Sequence, residues 1–218
     1  HTSGLSYGFL ADRSAGLYAM TEAKADPAQS LRDHVRMFAD TPLAFHPGTD
    51  WRYSVATDVL AAMLEQIEGR SLRSILHDRI IGPLGMSETG FRVPEGHEDR
   101  LMAMYGATKP GQPLNELDLS RGYPTSSADW ARGGHGLFST CEDYAKLCMS
   151  LLGLARGEAP GLVGRKTLEM MTANLVPDSA LPIGIARPVP SAGPGLGGYG
   201  FGLGFRTALP HAGGPRWR

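Results

Sequence analysis

The spacing of apolar residues predicts a largely helical chain. One apolar stripe begins at Val55, recurs every four residues and ends before Gly69, a residue type that commonly follows the last turn of a helix. Further helices are predicted after Asp26-Pro27, over 72–80, after a capping-box sequence at Ser139, and over 165–173. The apolar stripes consist of Val55, Val59, Met63 and Ile67; of Leu31, Val35 and Phe38; of Leu72, Ile75, Leu76 and Ile80; and of Tyr144, Leu147, Cys148 and Leu151.

A different period predicts a strand near the end of the chain. Tyr199, Phe201, Leu203 and Phe205 alternate with glycines, so one face would carry side chains and the other would be bare backbone that a neighbouring element can approach. A single strand needs partners to be stable. We therefore expect one incomplete α+β domain over 1–218, with a helical and loop-rich lobe over 1–195 and a strand and hairpin loop over 196–218.

Composition excludes several classes of function. The 218 residues carry a net charge of −1 with basic residues dispersed, which does not favour binding to nucleic acid or to an anionic membrane surface. No apolar run is long enough for a transmembrane helix. Cys141 and Cys148 are about 10 Å apart if helical, too far for a disulfide. The chain begins without methionine or a signal peptide, so its start leaves open a cytoplasmic or a periplasmic location in a bacterial-type protein.

The sequence predicts neither a metal site nor a bound cofactor. The seven histidines are dispersed, and neither H-E-x-x-H nor C-x-x-C occurs. The glycine-rich segment Gly133-Gly134-His135-Gly136 is not followed by the lysine of a phosphate-binding loop. We interpret this segment as a close approach of backbone before the helix at Ser139.

Two residues are candidates for nucleophilic or proton-transfer chemistry. Ser6 lies in Gly4-Leu5-Ser6-Tyr7-Gly8, which matches the G-x-S-x-G turn of α/β-hydrolases, but the strand before and the helix after that this turn requires are not predicted. Tyr53 precedes the helix that begins near Val55. Judged from the neighbouring residues alone, Tyr53 could simply pack beside Trp51. A tyrosine, whose hydroxyl has a pKa of about 10 in water, can also exchange protons at neutral pH if cations stabilise its phenolate.

Several segments resemble, in the same order, those of one large family. Together they are similar to serine β-lactamases and penicillin-binding proteins, most closely to class C β-lactamases and family VIII carboxylesterases. This resemblance covers nearly the whole chain and implies the penicillin-recognising fold. The segments are His1-Thr2-Ser3-Gly4-Leu5; Phe45-His46-Pro47-Gly48; Trp51-Arg52-Tyr53-Ser54; Pro83-Leu84-Gly85-Met86; Thr89-Gly90-Phe91; Gly133-Gly134-His135-Gly136-Leu137-Phe138-Ser139-Thr140; Asp143-Tyr144; and Tyr199-Gly200-Phe201-Gly202-Leu203-Gly204-Phe205.

The resemblance implies acyl transfer with Tyr53 as a catalytic residue. In the family, a serine of an S-x-x-K motif attacks the substrate, and the lysine and a tyrosine manage its proton. No Ser-x-x-Lys occurs in the sequence. The nearest match, Thr21-Glu22-Ala23-Lys24, has threonine in place of serine and lies in an expected polar loop. The resemblance therefore implies that the serine and the lysine lie upstream. The family's third motif is not clearly present, and we interpret 211–218, including His211-Ala212-Gly213, as a hairpin loop.

Val55 favours an esterase over a lactamase. Class C β-lactamases have Tyr-x-Asn in the second motif, whereas Val55 offers no side-chain hydrogen bond. The expected function is therefore cleavage of short-chain carboxylic esters, small-molecule substrates that include β-lactams at most weakly. The alternatives are a class C-type β-lactamase or D-Ala-D-Ala peptidase, a non-catalytic binding module of the same fold, and an α/β-hydrolase that uses Ser6.

Overall fold

The computed structural model describes residues 1–10, 14–26, 28–106, 111–117, 131–158, 161–181, 183 and 199–209. Within these residues, helices accompany two short antiparallel hairpins, so the expected α+β class is confirmed. The helices are α1 (Ala15–Glu22), α2 (Leu31–Arg36), α3 (Ala56–Glu68), α4 (Leu72–Leu76), α5 (Cys141–Arg156) and α6 (Arg165–Thr172). The strands are β1 (Tyr105–Gly106), β2 (Asn115–Glu116), β3 (Tyr199–Phe201) and β4 (Arg206–Ala208). A π-helical turn (His77–Ile81) continues α4, and 3₁₀ turns occupy Glu98–Arg100 and Asp178–Ala180.

The chain divides into two compact units. The first unit contains His1–Lys24, Met37–Val59 and Cys148–Arg218, and the second contains Ala25–Arg36 and Leu60–Leu147. The residues of α3 and of α5 are therefore shared between the units. The extent of a single domain over 1–218 stays a prediction.

Two apolar clusters form the core of the first unit. One cluster consists of Trp51, Val176, Ala180 and Ile183, and Tyr53, Leu181, Tyr199 and Phe201 pack against it. The other consists of Tyr18, Phe38 and Val55, and Leu5 and Tyr7 pack against it. Trp51 and Val55 thus anchor both flanks of Tyr53 in different clusters. Their burial fixes the backbone on either side of the candidate residue.

The predicted long strand is wrong in its extent. The chain turns after Phe201 rather than continuing to Phe205, and β3 pairs with β4 in an antiparallel hairpin. Gly204 has a φ of 85°, a left-handed conformation that glycine adopts without steric cost. Alternation of apolar residues with glycine does not reveal a tight turn inside a glycine-rich run. The sequence was therefore compatible with one long strand and with a hairpin.

The bare glycine face of this hairpin is confirmed. A Cβ atom on Gly200 would lie 2.1 Å from the side-chain oxygen of Asn174, and one on Gly202 would lie 2.0 Å from the backbone oxygen of Met171. The Asn174 oxygen accepts hydrogen bonds from the amides of Phe201 and Val176, each at 3.1 Å. The absence of side chains therefore lets the end of α6 hydrogen-bond directly to the hairpin.

In the second unit, the core forms on a face of α3 that the apolar stripe did not indicate. The core consists of Leu31, Ala61, Leu72, Phe91 and Ala131. Met63 and Ile67, members of the stripe, are 55% and 75% exposed. The helix and its end at Gly69, which has a φ of 63°, are confirmed. The buried face contains small alanines that permit close packing, so hydrophobic spacing alone selected the wrong face.

Two helix starts differ from those expected. Helix α2 begins at Leu31 and not after Asp26, because the Ser30 hydroxyl oxygen accepts the Asp33 amide (3.1 Å) and caps it. Helix α5 is capped by Thr140 and not by Ser139, since the Thr140 hydroxyl oxygen accepts the Asp143 amide at 3.2 Å. The helices over 72–80 and 165–173 are confirmed as α4 with its π-helical turn and as α6.

Helix α1 was missed. No helix was predicted over its residues, and Thr21-Glu22 was placed in a polar loop, although both residues belong to the helix. Only Ala15 and Tyr18 of α1 are buried, while Leu17 and Met20 are exposed. With so little segregation of apolar and polar faces, the sequence contains no clear helical signal here.

A buried carboxylate links α5 to the loop before Gly90. The Asp143 side chain accepts hydrogen bonds from the Glu88 amide (2.8 Å), the Thr89 hydroxyl (2.9 Å) and the Lys146 ammonium (2.8 Å). Lys146 also donates to the Gly85 carbonyl at 2.8 Å. Burial alone would raise the pKa of Asp143, but these three donors outweigh it and hold that pKa below its ordinary value. The interaction also raises the pKa of Lys146.

Replacing Asp143 with alanine is expected to lower the free energy of unfolding by about 3 kcal/mol or more, because the donors of a buried charge pair lose their acceptor. The Asp143→Asn variant should lose less, since it keeps an acceptor oxygen. The folded pKa lies below the unfolded one, so the charge contributes stability above the ordinary pKa of 3.8 and loses it as the pH falls through the folded value. Urea unfolding between pH 6 and 2.5 should therefore show a steeper acid loss for the wild type than for Asp143→Asn. Equal acid slopes, or an equal loss in the exposed control Asp99→Asn, would contradict this role.

Candidate active site

The first residues of the chain hold the segment that contains Tyr53. Backbone amides of Ala44, Gly48 and Arg52 donate to the carbonyls of Gly4 (2.7 Å), Thr2 (2.7 Å) and His1 (2.8 Å), respectively. These bonds join three of the segments that the sequence resemblance had identified separately. The approach to α3 is thus fixed by main-chain contacts and by the burial of Trp51 and Val55.

Gly4 is required by this contact. It has a φ of 83°, and a Cβ atom at this position would lie 2.4 Å from the carbonyl oxygen of Phe45. Any larger residue would have to push the two segments apart. The glycine of His1-Thr2-Ser3-Gly4-Leu5 therefore has a steric explanation in the placement of the Tyr53 segment.

Tyr53 lies three residues before Ala56, the first residue of α3. The Ser54 hydroxyl oxygen, which is fully buried, accepts the Ala56 amide at 3.4 Å and lies 3.3 Å from Nδ1 of His1. The expected position of Tyr53 at the mouth of a helix is confirmed. The positive end of the helix dipole favours negative charge in this region.

The ring of Tyr53 is half-buried among other rings. Its centroid lies 5.0 Å from that of His1, 5.2 Å from that of Tyr7 and 6.5 Å from that of Phe9. Among the residues that the structure describes, the Tyr53 hydroxyl has no hydrogen-bond partner and no lysine or arginine contacts the ring. Of the three neighbouring rings, only the imidazole of His1 can carry a positive charge.

Val55 is part of the core. It is buried against Tyr18 and Phe38, so the position that carries an amide in Tyr-x-Asn is here used for packing. This placement agrees with the absence of a hydrogen-bonding group expected from the sequence.

Ser6 does not form the turn that an α/β-hydrolase nucleophile requires. Its side chain is fully buried, its carbonyl accepts the Val55 amide at 3.5 Å, and no described non-glycine residue has a positive φ. Residues 5–7 lie in neither helix nor strand, and the next helix begins at Ala15. These features argue against Ser6 as an exposed nucleophile on a strained strand–helix turn.

The remaining predictions concern a third motif and a metal site. His211-Ala212-Gly213 lies outside the described residues. The interpretation of 211–218 as a hairpin loop therefore stays a prediction. In the described part of the chain no group of three or more histidine, cysteine or acidic side chains could hold a metal ion, and no helix is long and apolar enough to cross a membrane.

Sequence reasoning missed the aromatic surroundings of Tyr53. Tyr7 and Phe9 stack with their centroids 5.1 Å apart, and the ring of His1 contacts both Trp51 and Phe201. His1, Tyr7, Phe9 and Phe201 are distant in sequence from Tyr53, so periodicity could not group them with it. The available signal was the aromatic spacing in Tyr7-Gly8-Phe9 directly after the His1–Leu5 segment.

Comparison with known proteins identifies the family. The family model described as Beta-lactamase matches residues 1–217. The chain belongs to the Beta-lactamase family. Curated members include protein Rv1367c of Mycobacterium tuberculosis, 30% identical over 82% of this chain and 43% of that protein, and the lovastatin esterase of Penicillium rubens, 33% identical over 70% of this chain and 38% of that enzyme.

The fold of the family is also evident in solved structures. The structure of EstCE1, described as a hydrolase with promiscuous acyltransferase activity, aligns with 96% of this chain and 55% of its own chain at a TM-score of 0.69 and 24% identity. This likeness establishes the β-lactamase-like fold expected from the resemblance. The chain spans less than half the length of the two curated relatives.

The steric role of Gly4 can be measured against Gly48. Both have positive φ values, 83° and 85°, but a Cβ atom on Gly48 would have no atom within 4 Å. Gly48→Ala should cost about 1 kcal/mol of unfolding free energy through backbone strain alone. Gly4→Ala adds a steric overlap with the carbonyl oxygen of Phe45. Chemical denaturation should therefore show at least twice the loss of unfolding free energy seen for Gly48→Ala. Equal losses in the two variants would exclude a special role for the Gly4 contact.

Proposed function

We propose that the complete protein is a serine hydrolase that cleaves short-chain carboxylic esters through an acyl-enzyme intermediate. In this proposal, Tyr53 transfers protons, and polypeptide outside the 218 residues contributes a nucleophilic serine and its lysine, since no Ser-x-x-Lys occurs here. The observation that carries the proposal is Tyr53 itself. It lies three residues before the first residue of α3, on a segment held by main-chain bonds to the first residues of the chain.

The chemistry requires a proton path in both half-reactions. The serine oxygen bonds to the ester carbonyl carbon, its proton passes to the tyrosine–lysine pair, and the same pair returns a proton to the departing alcohol. Water then attacks the acyl carbon and loses a proton to the pair. The bond between the acyl carbon and the serine oxygen breaks, the pair returns the proton to that oxygen, and the carboxylic acid is released. A lysine ammonium close to Tyr53 would stabilise the negative charge on its oxygen during these proton transfers.

The preference for esters rests on Val55 and on the names of two similar proteins. Val55 is buried in the core and offers no amide to the side chain of a β-lactam. One relative is named for esterase activity, and EstCE1 is described as a hydrolase with acyltransferase activity. These observations support an acyl-transferring enzyme that acts on esters.

Replacing Tyr53 with phenylalanine in the complete protein should lower kcat for p-nitrophenyl butyrate about a hundredfold or more, because the hydroxyl that transfers protons is removed. Ring packing is kept, so thermal unfolding should change little. Tyr144→Phe, at an exposed tyrosine, is the matched control and should retain full activity. The 218-residue chain alone should be inactive. Activity of that chain that disappears in Tyr53→Phe would refute an external serine, and unchanged activity of Tyr53→Phe in the complete protein would refute the role of Tyr53.

The substrate class is tested by comparing two substrates on the complete protein. We expect kcat/KM for p-nitrophenyl butyrate to exceed that for the β-lactam nitrocefin by at least about a hundredfold, since a missing hydrogen-bonding group at a polar recognition site costs this much or more. Faster turnover of nitrocefin, or of a D-Ala-D-Ala peptide, would favour the alternative activities. Saturable binding of these compounds with no turnover would favour a non-catalytic binding module.

A further inference from the structure

A cavity of about 470 Å³ lies within the second unit, between the segment that follows Glu88 and the residues that precede α5. This volume is typical of sites for small molecules. Its lining is mainly apolar and includes Val93, Leu101, Met102, Met104 and Leu137. It shares no residue with the ring cluster around Tyr53.

The polar side of this cavity contains an ion pair between Arg100 and Glu88, whose charges cancel. The Arg100 guanidinium donates to both carboxylate oxygens of Glu88, with the longer bond at 3.4 Å. The His97 ring lies 3.3 Å from the same guanidinium and 3.7 Å from Glu88. Because Glu88 and Arg100 neutralise each other, this pair presents no net charge that would attract an anion or a cation into the cavity.

The wall beside this ion pair is held by the buried network of Asp143. The Glu88 amide donates to Asp143, and Thr89 joins Asp143 to the Ser139 hydroxyl at 2.8 Å. The Thr140 hydroxyl caps α5 through the Asp143 amide. Polar groups on this side are thus already positioned, whereas the methionines opposite are flexible side chains that can adjust to a ligand.

We propose that this cavity binds an uncharged, mainly apolar small molecule with one hydrogen-bonding group, of the size of a medium-chain ketone, alcohol or ester. The apolar body lies against Met102, Met104 and Leu137, and the single polar atom faces the His97–Arg100 side. Neutrality of the ligand follows from the closed ion pair, and tolerance of shape follows from the methionines. This binding requires no hydrolysis and is independent of the proposed role of Tyr53.

Methionine-methyl NMR tests the site directly. The probe is 2-nonanone, which has one carbonyl acceptor and no bond that a hydrolase cleaves. In the complete protein labelled with ¹³C-methyl methionine, at pH 8, the Met102 and Met104 methyl signals, assigned with Met102→Leu and Met104→Leu, should shift with half-saturation at about 1 mM or below. Signals of exposed Met149 and Met170, outside the cavity, should not shift.

A filled cavity provides the control. Leu137→Trp should weaken binding at least tenfold, whereas Leu152→Trp should leave it unchanged, since the two leucines are 49% and 48% exposed and only Leu137 lines the cavity. If thermal unfolding shows that Leu137→Trp is misfolded, Leu101→Trp replaces it. Shifts that do not saturate, that spread equally to Met149 and Met170, or that survive the filling variants would overturn the site. Tighter binding of nonanoate than of 2-nonanone would overturn the assignment of an uncharged ligand.

Discussion

The candidate site depends on main-chain hydrogen bonds between the first residues of the chain and the segment that leads into α3. These bonds require Gly4 to pass close to Phe45, and they leave the Tyr53 ring among His1, Tyr7 and Phe9. Backbone contacts of this kind do not depend on the identity of most side chains. They therefore explain how two short and individually weak sequence segments can define one rigid position for a tyrosine.

Much of the secondary structure could be predicted from the sequence because helix ends and apolar spacing are local properties. The spacing of apolar residues alone predicts helix α3, and the glycine at position 69 predicts where it ends. The buried face of the same helix could not be predicted, since it is selected by the close approach that Ala61 allows to distant residues. The hairpin turn after Phe201 was hidden for a related reason, because glycines suit both a bare strand face and a turn.

The candidate site was only partly predictable. Tyr53 could be identified through the order of several family segments. The burial of Val55 is consistent with the interpretation that this position offers no side-chain hydrogen bond to a substrate. The aromatic rings around Tyr53 could not be assembled, because Tyr7 and Phe9 reach it only through the fold. The cavity near Met104 was also unpredictable, since it is lined by two sequence-distant segments with no shared motif.

The buried carboxylate of Asp143 implies an order of events during folding. Lys146 lies one turn further along α5 and can pair with this charge as soon as the helix forms. Glu88 and Thr89 precede Asp143 by 55 and 54 residues, so their hydrogen bonds require closure of a long loop. Until that loop closes, the carboxylate has Lys146 as its local partner and otherwise hydrogen-bonds to water. Burial of this charge in the folded protein is therefore conditional on contacts of high sequence separation.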